Sequence, residues 1–345
     1  MKYTILILLT ILITVIYSCE KNNEFVDNND NDNQDIDSNL YNSEWSDPII
    51  KEINSFTCKA HKNTFIIGGY YIYELLESNN AHTILFQGGM YFTGLHVISD
   101  QEIIAVGLDG IVFKTINGGL DWHSINPGTS NDLYKCYFFN INKGFVIGNN
   151  SFIKKTTDGG NSWQDVSITF NYFIKDIIFT NDSTGFIGCG GEYAGNGYIW
   201  NSGHIYKTNN SGLSWEHKLY TNTVVTSINF PNEKIGFAVT VTGDAYKSIN
   251  YGETWNKIID SDSTTYGFKS VNFINNEIGF IVGADWQRGD ISQDRALILK
   301  TIDSGDTWSF DYNEFLNGYT FNDIAFNGNK GLAITGNHII LCTLY

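Results

Sequence analysis

Five segments of this chain share one frame, and that repetition restricts the fold more than any other feature. They are Thr115-Ile-Asn-Gly-Gly-Leu-Asp-Trp122, Thr156-Thr-Asp-Gly-Gly-Asn-Ser-Trp163, Thr208-Asn-Asn-Ser-Gly-Leu-Ser-Trp215, Ser248-Ile-Asn-Tyr-Gly-Glu-Thr-Trp255 and Thr301-Ile-Asp-Ser-Gly-Asp-Thr-Trp308. Copies at a regular spacing mean an array whose units bury their apolar faces against one another. Each residue type in the frame has a physical duty. The Asn or Asp (Asn117, Asp158, Asn210, Asn250, Asp303) accepts from backbone N–H groups two and more residues on, which holds a tight turn. The glycine takes a backbone conformation that a Cβ would resist. The tryptophan (Trp122, Trp163, Trp215, Trp255, Trp308) covers a large apolar area between neighbouring sheets. These duties are structural, so the frame residues carry no catalytic role.

Around each frame lie four short runs rich in β-branched and aromatic residues, as at 224–230, 236–241, 244–249 and 254–259. First runs end at Phe138, Phe179, Phe230, Phe273 and Phe326, and second runs begin at Gly144, Gly185, Gly236, Gly279 and Gly331. Four-stranded units of about 40–50 residues are propeller blades. The last unit has strands near 319–326, 331–335 and 338–345 but neither a frame nor a fourth strand. Ser43-Glu44-Trp45-Ser46-Asp47-Pro48-Ile49-Ile50 reads as a frame tryptophan followed by that missing strand. Pairing 44–50 with 338–345 closes the ring and removes two exposed sheet edges. With an early unit near 54–87 whose frame is degenerate and five framed units, residues 44–345 make an all-β, seven-bladed propeller with four-stranded antiparallel blades.

The frame matches the Asp-box, or BNR, repeat of sialidases and many other propellers. The longer pattern, Gly-Phe-x-x-Gly followed by Lys-Thr-x-Asp/Asn-x-Gly-x-x-Trp, resembles the photosystem II stability and assembly factor family over nearly all of 43–345. That resemblance implies a seven-bladed propeller that holds partner proteins and performs no chemistry. Many non-photosynthetic bacteria export proteins with this repeat, so a photosystem role is not implied. The arginine-rich patch associated with the family has no counterpart, since the arginines of this chain are Arg288 and Arg295.

The N-terminal region reads as targeting. Lys2 precedes an apolar run at 3–17, too short to span a membrane but suited to a signal peptide over 1–18. Ile16-Tyr17-Ser18-Cys19 resembles a lipobox, which implies a diacylglycerol on Cys19 and stable anchoring by two acyl chains. Residues 19–43 read as a solvated acidic tether, with Lys21 against a run of Asp and Glu. Its acidity resembles the surface-export signals of some outer-membrane lipoproteins. The expectation is an exported protein, lipid-anchored to a bacterial outer membrane and facing the surface. Asp27 to Asp32 has a calcium-loop flavour but lacks the turn glycine and the distal glutamate, so neither metal nor cofactor is expected. The formal charge of −16, with no basic stripe, argues against a nucleic-acid partner. Cys58, Cys136, Cys189 and Cys342 all fall in apolar strand patterns and read as buried thiols rather than disulfides.

Function must lie where the chain departs from its repeat. Trp200 and Trp286, the tryptophans outside the repeat position, sit in the two long insertions, 190–203 and 284–295. Both insertions join second and third strands, so as loops they emerge on the face opposite the box turns. Trp200, Trp286, Tyr193 and Tyr198 offer stacking surfaces there, and Glu192, Asp285, Arg288 and Asp290 offer polar contacts. Inter-blade loops add Tyr91, Phe92, Phe170, Tyr172, Tyr220, Tyr266 and Phe315. These aromatics either pack the loops down or line a binding face. The expected function is a non-catalytic scaffold for a protein or glycan partner. The alternative is a glycoside hydrolase drawing a carboxylate pair from Glu192, Asp285, Asp290 and Asp294. A sialidase is excluded, because its arginine triad cannot be assembled from two arginines in one loop.

Overall fold

A computed structural model of the chain describes residues 42–46, 49–50, 57–61, 64–76, 82–169, 171–194, 197–261, 265–286, 295–312 and 319–345. The signal peptide, Cys19 and the tether lie outside the described residues. The second strand of a blade is sandwiched between neighbouring blades. It is therefore apolar on both faces, as in the wholly buried Gly236–Thr240. Fourth strands face outward and turn polar: both residues of Gln164–Asp165 are exposed. This gradient from apolar centre to polar rim shapes every blade.

The strands form seven sheets. Their inner strands are Thr57–His61, Phe92–Val97, Leu133–Asn140, Phe173–Phe179, Val225–Asn229, Tyr266–Phe273 and Asp323–Asn327, which number the blades 1 to 7. Each inner strand touches those of the blades on either side, and the last touches the first, so the ring is closed. Closure is made where the sequence places it. The third strand of blade 7, His338–Leu344, pairs antiparallel with Ser43–Trp45 (Trp45 opposite Cys342) and with Ile49–Ile50 (Ile49 opposite Ile339). Among the described residues the regular elements are strands apart from short 3-10 turns such as Leu108–Gly110.

The blades interlock through repeated contacts. A second-strand phenylalanine stacks on the phenylalanine ending the next blade's inner run: Phe145 on Phe179 (5.0 Å), Phe186 on Phe230 (4.3 Å), Phe237 on Phe273 (4.0 Å) and Phe280 on Phe326 (4.5 Å). The box turns sit on the same rings. In the 156–163 box, the Thr156 hydroxyl accepts from Gly160 N at 2.9 Å, and the Asp158 carboxylate accepts from Ser162 N at 2.9 Å. The other boxes repeat both bonds. Two consecutive residues, Ser211 and Gly212 in one box and Tyr251 and Gly252 in the next, have left-handed backbone. At Gly252 a Cβ would stand 2.2 Å from Phe186 Cε1 of the preceding blade, so the glycine is needed for space as well as for conformation.

The lysine before each box is a further link. In four of the five it lies directly across the sheet from the second-strand phenylalanine (Phe145 opposite Lys155, Phe186 opposite Lys207), and Lys114 lies opposite Ile104. From there it reaches the next blade's box turn, as in Lys114 Nζ to Gly159 O (2.9 Å), Lys155 Nζ to Ser211 O (2.8 Å) and Lys207 Nζ to Tyr251 O (2.8 Å). The four described cysteines are free and buried, and burial raises the Cys136 thiol to about 12, which leaves it an inert packing group.

Candidate functional site

Two faces result from this connectivity. Box turns and the turns between first and second strands share one face, whereas the turns between second and third strands share the other with the inter-blade connections. The expected insertions lie on that second face, but the first is not a loop. Residues 190–203 continue both strands of blade 4, Gly185–Ala194 and Gly197–Thr208, into a projecting hairpin with Tyr193 opposite Tyr198 and Ala194 opposite Gly197. A register shift lies between Gly190 and Glu192, where Gly190 and Gly191 both take positive φ that a Cβ would strain. Aromatic and β-branched residues favour strands, and Tyr193 on one arm with Tyr198, Ile199 and Trp200 on the other supply them where the insertion pairs with itself. Glu192 is exposed beside Ile199.

The second insertion is shorter than its sequence span. Ala284 and Asp285 end the strand Gly279–Asp285, and Arg295 opens the strand Arg295–Thr301. Trp286 is half-buried, and its indole lies on the backbone of the inner strand: a Cβ on Gly267 would be 2.4 Å from Trp286 Cζ2. Its amide donates to Thr265 O at 2.8 Å, and the Thr265 hydroxyl donates to the Asp285 carboxylate. Trp286 and Asp285 therefore help to fix the start of blade 6. Arg288, Asp290 and Asp294 lie outside the described residues, as do Phe170 and Phe315. Phe92 is wholly buried core rather than a surface aromatic. Tyr266 packs between Phe268 and Phe310.

Around the base of the blade 4 hairpin the structure gathers residues that the repeat pattern did not mark. Tyr172 stacks on His204 with centroids 4.5 Å apart. His204 Nδ1 lies 3.1 Å from His217 Nε2, and Tyr220, 56% exposed, stands edge-on to His204. Burial, and then the neighbouring His217, lower His204 to about 4, so the His204 imidazole is uncharged at neutral pH. The result is a hairpin flanked by exposed His217 and Tyr220. A second aromatic group on this face joins Tyr70, Tyr71 and the 42%-exposed Tyr91. Among the described residues no group of three or more His, Cys, Asp or Glu could hold a metal ion.

The axis of the ring holds the other polar feature. A cavity of about 180 Å³ is lined from all seven inner strands. Two buried aspartates clamp it. Asp176 of blade 4 accepts from Lys135 Nζ of blade 3 (2.7 Å) and from Ile228 N of blade 5 (2.7 Å). Asp323 of blade 7 accepts from Ser270 of blade 6 (2.8 Å) and from Cys58 N of blade 1 (3.1 Å). Each therefore ties three blades together. Their sequence signal was a carboxylate inside an apolar run, Ile174-Lys-Asp-Ile177 and Phe321-Asn-Asp-Ile324.

With this geometry in hand, likeness to known proteins can be weighed. No protein-family model matches the chain. A stretch of 155 residues, 34% of the chain, is 23% identical to the photosystem II assembly lipoprotein Ycf48 of Prochlorococcus marinus. That match spans about half of the relative's length (46%). A solved structure of YCF48 bound to D1 peptide superposes with a TM-score of 0.66 at 14% identity, covering 90% of this chain and 96% of that one. The chain resembles the Ycf48 propellers. A GH74 xyloglucanase from Xanthomonas campestris shares the blade architecture at 12% identity and a TM-score of 0.61, covering 86% of this chain and 53% of that one. Likenesses this distant establish the fold alone.

Proposed function

We propose that this protein is a non-catalytic scaffold, membrane-anchored through a lipid on Cys19, that holds a protein partner on the face opposite its box turns. The observation that carries the reading is the self-paired hairpin of blade 4. It projects a stretch bearing Tyr193, Tyr198 and Trp200 beside exposed His217 and Tyr220, while the repeated Ser or Thr, Asn or Asp and Gly of each box hold its turn. Interfaces draw their binding energy from such rigid aromatic anchors at low entropic cost. The Ycf48 structure bound to a peptide supports a protein rather than a glycan as the partner class. The glycosidase alternative gains nothing from Asp285, which is bonded to Thr265.

Chemical crosslinking of the full chain in its native membrane tests the reading. Replacing 192–199 with a two-residue turn should abolish crosslinks to the partner while leaving the melting temperature unchanged. Retained crosslinks would defeat the hairpin as the docking element. Binding to a glycan array without any protein crosslink would replace the protein partner by a glycan. Metabolic labelling with an alkyne fatty acid should mark the wild type and not Cys19→Ala, and a labelled variant would refute the anchor.

A further inference from the structure

The link between blades 1 and 2 departs from the pattern that joins the others. In blades 2 to 6 a lysine stands directly across the sheet from the second-strand residue that faces the next blade: Lys114, Lys155, Lys207, Lys247 and Lys300. In blade 1 that place belongs to Glu74, opposite Ile66. Three of those lysines donate to the carbonyl of the fourth box residue in the next blade, which is Gly159, Ser211 or Tyr251. The matching carbonyl in blade 2 is that of Gly118, and no described residue donates to it. Nor does a hydrogen bond or ion pair join the half-buried Glu74 to a described residue. The acceptor has been kept, and its donor has been exchanged for a second acceptor.

The aromatic filling is missing at the same place. Between blades 3 and 4 a phenylalanine pair, Phe145 on Phe179, closes the gap. Between blades 1 and 2 the corresponding positions hold Ile66 and Val97, which share one apolar cluster. Neither aliphatic side chain fills the volume of a phenyl ring. What remains is a cavity of about 270 Å³, lined by Ile66, Glu74 and Leu85 from blade 1 and by Val97, Asp100 and Gly118 from blade 2. It lies on the box face, where His61 of blade 1 meets the Asp100 carboxylate of blade 2. Drug-sized ligands occupy roughly 300–1,000 Å³, so the space suits a single side chain. Its walls are largely aliphatic, and the Glu74 and Asp100 carboxylates and the Gly118 carbonyl set against them all accept hydrogen bonds. A carboxylate drawn partly out of water favours a cation beside it.

We propose that this cavity takes the side chain of a lysine presented by a partner polypeptide, with its ammonium between Glu74 and the Gly118 carbonyl and its alkyl stem along Ile66 and Val97. An external lysine thereby restores the link that other blades make from within. The site lies on the face opposite the blade 4 hairpin and does not rest on the docking proposed there. Methyl NMR of the full chain in detergent micelles, titrated with Nα-acetyl-L-lysine methylamide, tests it. The Ile66, Leu85 and Val97 methyls should shift saturably, while those of Ile147, between blades 3 and 4, stay still. The norleucine analogue keeps the alkyl stem without the ammonium and should bind at least about tenfold more weakly. Glu74→Gln should weaken the lysine probe by a similar factor. Glu74→Lys should rebuild the inner link, abolish the shifts and leave the melting temperature unchanged or higher. The comparison of the two probes needs no variant, so a variant that fails to fold leaves the proposal open to refutation. Absence of saturable shifts in the wild type, equal affinity for the two probes, or undiminished binding by a folded Glu74→Lys protein would each overturn it.

Discussion

The two faces of this propeller are made from the same strands and differ in almost everything else. On the box face, five turns use a Ser or Thr hydroxyl, an Asn or Asp and a left-handed glycine in the same way, and each glycine packs on an apolar side chain of the blade before it, a phenylalanine in three of the five. The repeated positions are committed to the turns, and the exposed apolar side chains there, such as Leu120 and Tyr251, occupy the variable positions of the boxes. On the opposite face the connections differ blade by blade: a tyrosine group at Tyr70 and Tyr91, a projecting hairpin in blade 4, and an indole laid on Gly267 in blade 6. Repetition marks the surface whose task is to hold the ring together, and variation marks the surface available for recognition.

The sharpest test of that contrast is a truncation on the box face. Trp255 is 8% exposed and meets Phe186 and Phe230 edge-on. Trp255→Ala should cost about 3–5 kcal/mol in denaturant unfolding and leave partner crosslinking intact. A variant that unfolds normally but loses the partner would collapse the distinction between the faces. Next in size is Asp176→Asn, which removes the buried charge that pairs with the half-buried Lys135 and should cost about 3 kcal/mol. An unchanged midpoint would show that the axial clamp is dispensable.

A smaller effect is expected from pH. Burial lowers His96 and His204 from the usual 6.5 to about 4. Between those values the folded protein binds fewer protons than the unfolded chain. Their contribution is thus complete above pH 6.5 and is lost as the pH falls toward 4. Calorimetric melting temperatures should decline through that window, and less steeply in His204→Gln. An identical slope in the variant would remove His204 from the account. Smallest of all, Glu253→Gln breaks the pairs that this solvent-exposed carboxylate makes with Lys207 and Lys218 and should shift stability by less than about 1 kcal/mol. A larger loss would mean that the lysine links between blades matter more than the aromatic stacks.

Much of the fold could be read from residues alone, because its signals are local. The box turn needs only its own eight residues to specify itself, and a run such as Gly236-Phe-Ala-Val needs only its apolar continuity. The candidate site was less legible. Glu192 and Tyr193 were recognised as departures from the repeat, yet the pairing of Tyr193 with Tyr198 depends on a bulge at Gly190 that no short motif announces. Trp286 looked like a free stacking surface, and only the nearness of Gly267 turns it into a cover for the strand. Lys155 was part of the motif, but its partner, Ser211, lies 56 positions away in sequence.

The sequence by itself determined the number of blades, the position of each box and the pairing that closes the ring, with Trp45 opposite Cys342. Those features follow from periodicity and from edges that must be covered, and both are written along the chain. Tertiary structure alone decided what meets at the axis. Cys58 and Asp323 lie 265 residues apart, each in an apolar run near the start of a strand. They become neighbours because seven inner strands converge on one line and the closed ring sets the last beside the first. Convergence is a property of the closed ring, and no single repeat contains it.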